Sequence, residues 1–369
     1  MTPLETKIRK RINASGPLPV SEFMNMALCD PELGYYKTRN PIGGEGDFIT
    51  SPEISQVFGE IIGLWCAVMW QASGSATDVK LVELGPGRGT LMSDMLRAIH
   101  ATAPDFASAI DVHLVETSPV LRGLQEEALK EHKVTWHENV ESIPGGKILV
   151  VANEFFDALP IDQFVKTEDG WQERCVSLSP NDDTLTFATM PMRHPNDADF
   201  PSEIVAAPVN SVFEENVVGK EITGSLAGRI AQDGIAALIL DYGHNQHGLG
   251  DTLQAMKSHQ FHNPLAEIGE IDLTAHVDFA ALDAASTEQG CIVHGPIFQG
   301  DFLSSLGIEQ RAEILSANAS VKQANLLTDG CRRLIASDGM GTLFKAMALT
   351  PKDSVIPAGF EKRHNGVCE

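Results

Sequence analysis

Val79-Lys80-Leu81-Val82-Glu83-Leu84-Gly85-Pro86-Gly87-Arg88-Gly89-Thr90 is the stretch that decides the fold. Its first half is typical of a buried strand, and its second half spaces glycines two residues apart. Because glycine has no Cβ, such a turn can adopt positive φ and let a ligand lie against the main chain. The apolar spacing of residues 90–99 predicts a helix after the turn. Thr90 stands where a dinucleotide fingerprint requires glycine, which favours a nucleoside with a small charged group over a pyrophosphate.

A second strand is predicted over Ile110-Asp111-Val112-His113-Leu114-Val115, and Glu116 follows it directly. An acidic residue at the tip of the second strand is placed to accept hydrogen bonds from both hydroxyls of a ribose. Together with the glycine turn, Glu116 predicts a nucleoside site. Glycine turns between a strand and a helix also occur in α/β proteins that bind no ligand, and this alternative stays open.

The composition is that of a globular protein with an excess of acidic residues. Of its 369 residues, 43% are hydrophobic and 21% are charged, and the formal net charge is −23. This charge argues against a general nucleic-acid binder and suits a basic partner, although acidic surfaces also simply keep proteins soluble. No apolar run approaches the ~20 residues of a membrane span, and the first residues contain no apolar signal core. We expect a cytoplasmic protein whose six cysteines are reduced thiols.

Strand and helix patterns alternate from Val79 onward, which predicts an α/β fold with a mostly parallel sheet covered on both faces. We predict that residues 1–76 form a helical N-terminal extension with a cofactor-covering loop, and that residues 77–369 form the main domain. Two stretches depart from the alternation and are predicted as insertions. One covers about 163–225, where residues 171–178 and 184–190 have the pattern of antiparallel strands, and the other is a helical stretch at about 300–337.

A helix start is predicted near Ser51, which can act as the cap, with Pro52 at the first helical position. The apolar residues that follow at helical spacing form one face, so this helix packs on a core. A helix start offers free N–H groups to a carboxylate. We therefore expect the loop at 46–53 to close over the cofactor, with Ser51 and Glu53 as its contacts.

Asn153-Glu154-Phe155-Phe156-Asp157-Ala158-Leu159-Pro160 follows the apolar strand predicted at 147–152. Ligands of open parallel sheets bind beyond the carboxyl ends of the strands, so this segment borders the same crevice as the glycine turn. We predict that Asn153 holds a substrate nitrogen, that Phe155 or Phe156 forms a wall against either the cofactor or a flat cation, and that Glu154 and Asp157 bind a guanidinium. The alternative is a helix start capped by Asp157, with both phenylalanines in the core.

Five of the twelve histidines lie between residues 244 and 276, four of them in pairs spaced three apart. Such spacing can mark a metal site, but the carboxylate and cysteine context of a known zinc pattern is missing, so we predict no metal. Thr274 is predicted to cap a helix that starts nearby. His276, beside it, is predicted to face the site.

Several segments resemble the MidA-like family of S-adenosylmethionine-dependent methyltransferases, known in mitochondria as assembly factors of respiratory complex I. Residues 83–89 look like the cofactor motif of class I methyltransferases. The resemblance covers nearly the whole chain. The segments that narrow it to this family are Pro31-Glu32-Leu33-Gly34-Tyr35-Tyr36, Gly46-Asp47-Phe48-Ile49-Thr50-Ser51-Pro52-Glu53-Ile54-Ser55, Asn153 to Pro160, and Asp272-Leu273-Thr274-Ala275-His276-Val277-Asp278-Phe279.

The resemblance implies a class I methyltransferase fold with a Rossmann-like seven-stranded, mostly parallel sheet, and S-adenosyl-L-methionine as the cofactor. It implies methyl transfer to an arginine of a partner protein, which in the mitochondrial members is a complex I subunit. The cofactor contacts are then Glu83, Gly85, Pro86, Gly87, Gly89, Glu116, Thr117, Ser118, Asn153, Thr50, Ser51 and Glu53. We predict catalytic roles for Glu154, Asp157, Asn153 and His276, in which the two carboxylates localise charge on the guanidinium and orient the attacking nitrogen.

Two other classes of function stay open. The chain is either an assembly protein that retains the cofactor fold but works by binding a partner, or a methyltransferase that acts on a small molecule. The acidic composition and the inserted segments suit the first class. In the second class the insertions serve as a lid.

Overall fold

The computed structural model describes residues 1–38, 49–193, 200–257 and 260–361. The strands are β1 Leu18–Pro19, β2 Val79–Leu84, β3 Ile110–Val115, β4 Val134–His137, β5 Lys147–Asn153, β6 Asp162–Thr167, β7 Gly170–Leu178, β8 Leu185–Met190, β9 Val212–Glu215, β10 Ala236–His244, β11 Gln254–Lys257, β12 Gln260–His262, β13 Asp272–Thr274, β14 Val277–Asp278, β15 Ile292–Phe298 and β16 Phe344–Thr350. The α-helices are α1 Pro3–Ser15, α2 Val20–Cys29, α3 Tyr35–Thr38, α4 Ser51–Ile54, α5 Gln56–Ala72, α6 Thr90–Thr102, α7 Pro104–Ala109, α8 Pro119–Ala128, α9 Ser202–Val205, α10 Val217–Asp233, α11 Phe279–Glu288, α12 Gln299–Ser305, α13 Ile308–Ser316 and α14 Val321–Ile335.

Seven strands form the central sheet in the order β15-β16-β10-β5-β2-β3-β4, and β14 adds a short parallel pairing at the end of β10. The strands from β2 to β5 and β10 run parallel, whereas β16 is antiparallel to both β10 and β15. The chain winds outward from β2 to β4 and then returns to β5 on the other side of β2, so the strand order reverses there. Such a reversal opens a crevice at the carboxyl ends of the strands. The predicted α/β fold with a Rossmann-like, mostly parallel sheet is confirmed.

Helices cover both faces of this sheet. The apolar side chains of α5, α6, α12, α13 and α14 pack on one face, and those of α10 and α11 pack on the other. Helices α5 and α6 approach closely because glycine occupies their contact. A Cβ on Gly63 would lie 2.8 Å from the Cα of Met95, closer than real Cβ atoms come to a backbone atom. Dense packing of this kind holds the carboxyl ends of the strands in fixed positions.

A second, antiparallel sheet has the order β1-β7-β6-β9, with β8 paired to β7. The pair β7 and β8 confirms the antiparallel strands predicted near 171–178 and 184–190. Strand β1 comes from the N-terminal region and pairs with β7, and α1 and α2 share an apolar cluster with Val176 and Leu273. Helix α10 begins at Val217, within the range predicted as an insertion, and packs on the central sheet. The division into residues 1–76 and 77–369 with two insertions stays a prediction.

Two predicted helix caps are wrong. The helix expected from Ser51 is two helices, because Ser55 adopts an extended conformation between α4 and α5 and accepts a hydrogen bond from the N–H of Val57. Thr274 belongs to β13, and α11 begins later with Asp278 as its cap, which accepts from the N–H of Ala281 at 3.1 Å. No helix in the described part of the chain has the length and apolar character needed to cross a membrane.

Candidate active site

The site lies where the carboxyl ends of β2, β3, β5 and β10 meet. The strand register places Leu84 beside both Val115 and Ala152, and Leu240 beside Asn153. The segments that follow β2, β3 and β5 therefore leave the sheet side by side. They line a cavity of about 770 Å³, a volume typical of small-molecule and cofactor sites.

The glycine turn has the backbone conformation that its sequence predicts. Gly85, Gly87 and Gly89 have φ of +58°, +54° and +82°, the left-handed region that other residues adopt only at a cost. A Cβ on Gly85 would also lie 2.8 Å from the Cδ2 atom of Phe155. Gly89 is the N-terminal residue bordering α6, so the unit is strand, glycine turn and helix as predicted. Of the turn, Gly85, Pro86, Gly87 and Arg88 line the cavity.

Glu116 is held in place by a buried network at the tip of β3. Its Oε1 accepts from the N–H of Ser118 at 2.7 Å and its Oε2 accepts from Nε2 of Gln125 at 3.2 Å. The same Gln125 amide donates to the carbonyl of Gly87 at 2.8 Å, and its oxygen accepts from Nε1 of Trp136. Gln125 thus ties the glycine turn to Glu116. Each oxygen of a carboxylate has a second lone pair, so Glu116 can still accept from a pair of hydroxyls.

Glu83 is a buried carboxyl group at the floor of the cavity. It is 3% exposed, and burial raises its pKa to about 8 although the N–H of Met92 donates to it. Its Oε2 atom has no hydrogen-bond partner among the described residues. An ionised carboxylate in such a place is costly unless a cation or donor approaches it. Glu83 is therefore suited to meet a positively charged ligand.

Asp241 organises the segment that follows β5. Its fully buried Oδ2 accepts hydrogen bonds from the consecutive N–H groups of Phe155, Phe156 and Asp157 at 3.1, 2.9 and 3.3 Å. Its Oδ1 accepts from the N–H of Tyr242 at 2.9 Å. Burial raises the pKa of Asp241, and these donors oppose that rise by favouring the carboxylate. The segment is a turn fixed by one side chain, which contradicts the alternative of a helix capped by Asp157.

Glu154 adopts φ of +50°, which is rare for a residue with a side chain. Three hydrogen bonds stabilise this conformation. The N–H of Glu154 donates to the carbonyl of Leu240, and its Oε1 accepts from the N–H of Ser51 at 2.8 Å and from Nδ2 of Asn153 at 3.0 Å. Burial raises the pKa of Glu154 to about 7, and nearby Asp157 adds to the rise. Strained residues that are held in this way cluster at functional sites.

Asp157 is bonded to Tyr242, which belongs to a cluster of rings with His276 and Phe344. Burial raises its pKa, and a hydrogen bond from the hydroxyl of Tyr242 opposes the rise. The ring of Tyr242 packs edge-on against His276 at 5.5 Å and against Phe344 at 5.3 Å, measured between centroids. Burial lowers the pKa of His276, so this wall is neutral at pH 7. The chamber combines carboxyl groups with aromatic walls, which is the chemistry that binds a flat cation.

The N-terminal region covers the cofactor side of the cavity. The hydroxyl of Thr90 donates to Oε1 of Glu53 at 2.5 Å, which fastens α4 to the start of α6. The hydroxyl of Ser118 donates to the carbonyl of Tyr36, whose own hydroxyl donates to Oδ1 of Asp272 at 2.9 Å. Of the loop predicted at 46–53 to close over the cofactor, residues 46–48 lie outside the described residues.

The structure brings most of the predicted residues to one cavity. Its lining includes Thr50, Glu53, Glu83, Gly85, Pro86, Gly87, Glu116, Thr117, Asn153, Glu154, Asp157 and His276. Ser51, Gly89 and Ser118 stand behind the lining, and Ser51 and Ser118 hold it through hydrogen bonds. Phe155 lines the cavity, whereas Phe156 is buried behind it. The catalytic and cofactor roles of these residues stay predictions.

No role was predicted from the sequence for Tyr36, Asp241, Tyr242, Asp272 and Phe344. Asp241 and Tyr242 could have been noticed, because they follow the apolar run at 235–240 as Glu116 follows the run at 110–115. Tyr36 and Asp272 lie in segments that resemble the family, whereas Phe344 carries no local signal. Of the clustered histidines, His247 bonds to Asp278 at 2.8 Å, and in the part of the chain that the structure describes no cluster of three or more metal-binding side chains is found.

The cavity fits S-adenosyl-L-methionine. Within the described ranges, Glu83 Oε2, Asn153 Oδ1 and Asp157 Oδ1 are buried acceptor atoms without partners, and all three residues line the cavity. Buried polar atoms are rarely left unpaired unless a ligand or water supplies the partner. The glycine turn, Glu83, Glu116 and Asn153 line this one cavity, and their individual contacts with the cofactor stay predictions.

Comparison with known proteins agrees with this geometry. The profile of a family described as S-adenosyl-L-methionine-dependent methyltransferases matches residues 61–297. The mitochondrial protein arginine methyltransferase NDUFAF7 of Homo sapiens is 37% identical over 379 residues, which cover 95% of this chain and 84% of that protein. The Drosophila melanogaster homologue is 37% identical over 385 residues, covering 97% and 87%. A crystal structure of a Burkholderia thailandensis protein bound to S-adenosyl-homocysteine has a TM-score of 0.84 at 26% identity, covering 97% of this chain and 94% of that one.

Proposed function

Since this chain belongs to the MidA-like family of S-adenosyl-L-methionine-dependent methyltransferases, we propose that it transfers the methyl group to an arginine side chain of a protein. The observation that carries this proposal is the part of the cavity lined by Glu154, Asp157 and Tyr242, here called the acceptor chamber. In it Asp157 accepts a hydrogen bond from the hydroxyl of Tyr242, and Glu154 lies close enough to Asp157 for the two carboxyl groups to affect each other. Curated relatives at 37% identity over most of the chain are named protein arginine methyltransferases.

A guanidinium is planar, stays positively charged across the pH range in which proteins work, and donates its hydrogen bonds in a fixed fork. A pair of carboxylates accepts such a fork through charge-assisted hydrogen bonds, and an aromatic wall stacks on its face. Lysine would place one strongly hydrated point charge in the same chamber and would use neither the fork nor the stacking surface. The chamber therefore favours arginine over lysine.

When bound, S-adenosyl-L-methionine supplies a methyl group whose bond to sulfur breaks as the bond to the acceptor nitrogen forms, with the electron pair left on sulfur. Glu154 and Asp157 orient the attacking nitrogen and concentrate positive charge on the rest of the guanidinium. Glu154, with a pKa of about 7, is suited to accept the proton that this nitrogen loses. Asn153 holds Glu154 through its amide, and Phe155 forms the wall that keeps water out.

The partner and the compartment are further parts of the proposal. The family resemblance supports a basic protein of the respiratory complex I type as the acceptor, and the net charge of −23 suits a basic partner. The curated relatives named above are mitochondrial. The cytoplasmic location expected for this chain stays a prediction.

The proposal is tested with the purified chain, methyl-labelled S-adenosyl-L-methionine and a protein extract freed of small molecules. We expect label on protein and methylarginine after acid hydrolysis. Glu154→Gln is expected to lose methyl transfer while it binds the cofactor with unchanged affinity. Glu126→Gln, at an exposed glutamate on α8, is the matched control and keeps full activity. In a second assay the small molecules are restored to the extract. Label on a small metabolite and not on protein would then contradict a protein substrate.

A further inference from the structure

The three-stranded sheet β12-β11-β13 leads from the acceptor chamber to the surface. Directly opposite residues of antiparallel strands share one face. Asp272 of β13 is paired with Met256 of β11, and Met256 is paired with Phe261 of β12, so these side chains form one row. The next row on this face pairs Thr274 with Gln254. All five residues line the active-site cavity.

Exposure rises along the first row. Asp272 is 3% exposed and accepts from the hydroxyl of Tyr36, Met256 is half-buried, and Phe261 is 77% exposed. On the opposite face of the same sheet, Ala255 and Leu273 are buried in the core. The sheet is therefore anchored by one face, and its other face runs from a polar chamber to an exposed aromatic ring. Phe261 therefore presents an apolar ring, at the edge of the cavity, to any molecule that enters the cavity along this face.

Resting on the function proposed above, we propose that this face is the platform on which the acceptor protein lies, and that Phe261 packs on an apolar side chain close to the methylated arginine. The arginine enters the chamber beside Asp157 while the neighbouring chain crosses β11 and β12. Two strand spacings, about 10 Å, separate β13 from β12, a distance that about three extended residues span. The apolar residue therefore lies within about three positions of the arginine.

The test uses synthetic peptides of about ten residues, each with one arginine in a glycine and serine background. One series carries leucine or phenylalanine at positions one to four on either side, and the reference peptide carries neither. We expect kcat/KM to be roughly tenfold higher for peptides with an apolar residue within three positions, mainly through a lower KM. Burial of the exposed ring of Phe261 against an apolar side chain strengthens binding by roughly this factor. Phe261→Ser is expected to abolish this preference.

Leu326→Ser is the matched control, because Leu326 is also an exposed apolar residue, 62% accessible on α14, and does not line the cavity. It is expected to keep the preference. If the wild-type chain methylates all peptides equally, or if Phe261→Ser keeps the preference, the docking proposal is overturned and arginine methylation stands. If no peptide is methylated while the extract yields methylarginine, the docking proposal is overturned as well. If neither peptide nor extract yields methylarginine, the proposed function itself fails.

Discussion

Glu83 is expected to make the affinity for S-adenosyl-L-methionine depend on pH. The carboxyl group is buried and lines the cavity, its pKa is raised to about 8, and its Oε2 has no hydrogen-bond partner among the described residues. At pH 7 it therefore holds a proton in most molecules of the free protein. The cofactor carries a net positive charge, so it binds the ionised form better and releases that proton. Affinity should rise as pH rises.

The size of the effect follows from the pKa. If only the ionised form of Glu83 binds, the dissociation constant scales with one plus the ratio of protonated to ionised carboxyl. With a pKa of about 8, this factor is about 100 at pH 6, about 11 at pH 7 and about 2 at pH 8. Binding should weaken about fiftyfold from pH 8 to pH 6, or about 2.3 kcal/mol.

The same group affects stability with the opposite sign. The folded-state pKa lies above the ordinary value of 4.5, so between pH 4.5 and about 8 the folded protein keeps a proton that the unfolded chain has lost. The contribution of Glu83 to stability is thus fully present below pH 4.5 and is lost as pH rises through about 8. The cofactor-free protein should show a falling Tm across this window, and Glu83→Gln should reduce the fall.

Isothermal titration calorimetry at pH 6, 7 and 8, in two buffers of different ionisation enthalpy, measures both the affinity and the protons released. We expect close to one proton released at pH 7 in the wild-type chain. Glu83→Gln should bind more weakly at pH 8 but lose most of the pH dependence and the proton release, whereas the exposed Glu126→Gln should retain both. A Glu83→Gln protein with the full wild-type slope would refute the assignment.

Three further substitutions test the rest of the site. Gly85→Ala adds a Cβ 2.8 Å from the ring of Phe155 at a φ of +58°, so cofactor affinity should fall at least about tenfold; unchanged calorimetry would contradict the close approach. Asp241→Asn replaces the carboxylate that accepts three consecutive amides, so kcat should fall at least about tenfold while cofactor affinity changes little; a parallel loss of both would indicate general disruption. Tyr242→Phe removes the hydrogen bond that lowers the pKa of Asp157, so the acid limb of the pH–rate profile should move to higher pH; a shift to lower pH would show that the sign is wrong.

The sequence is sufficient to predict the local units of the fold. Glycines in a turn, a carboxylate at a strand end and an apolar strand are properties of a few neighbouring residues, and the register of parallel strands then brings their ends together. This is why Gly85, Glu116 and Asn153 line one cavity as expected. The strands β7 and β8 were also predicted correctly, because the pattern of each is a property of a few neighbouring residues.

The contacts that hold the site together could not be predicted, because they join residues that are far apart in the chain. Asp241 binds amides 84 to 86 residues away, and the N–H of Ser51 reaches Glu154 across 103 residues. Local rules gave Ser51 the role of a cap, which Ser55 takes for α5. Pairing of β1 with β7 likewise depends on how two distant segments pack, and no short pattern in either segment indicates it.

The acidic groups of the site indicate that both of its ligands, the cofactor and the acceptor, are cations. In the described ranges, no lysine or arginine forms an ion pair with Glu83, Glu154, Asp157 or Asp241, and burial raises the pKa of all four. Natural proteins rarely keep buried carboxyl groups without a cation, since removing the charge from water costs several kcal/mol for each ion. A sulfonium cofactor and a guanidinium acceptor would supply the missing charges in sequence. The positive charge of each bound ligand would favour the ionised form of the carboxyl groups that bind the other ligand. Acceptor and cofactor should therefore each increase the affinity of the chain for the other.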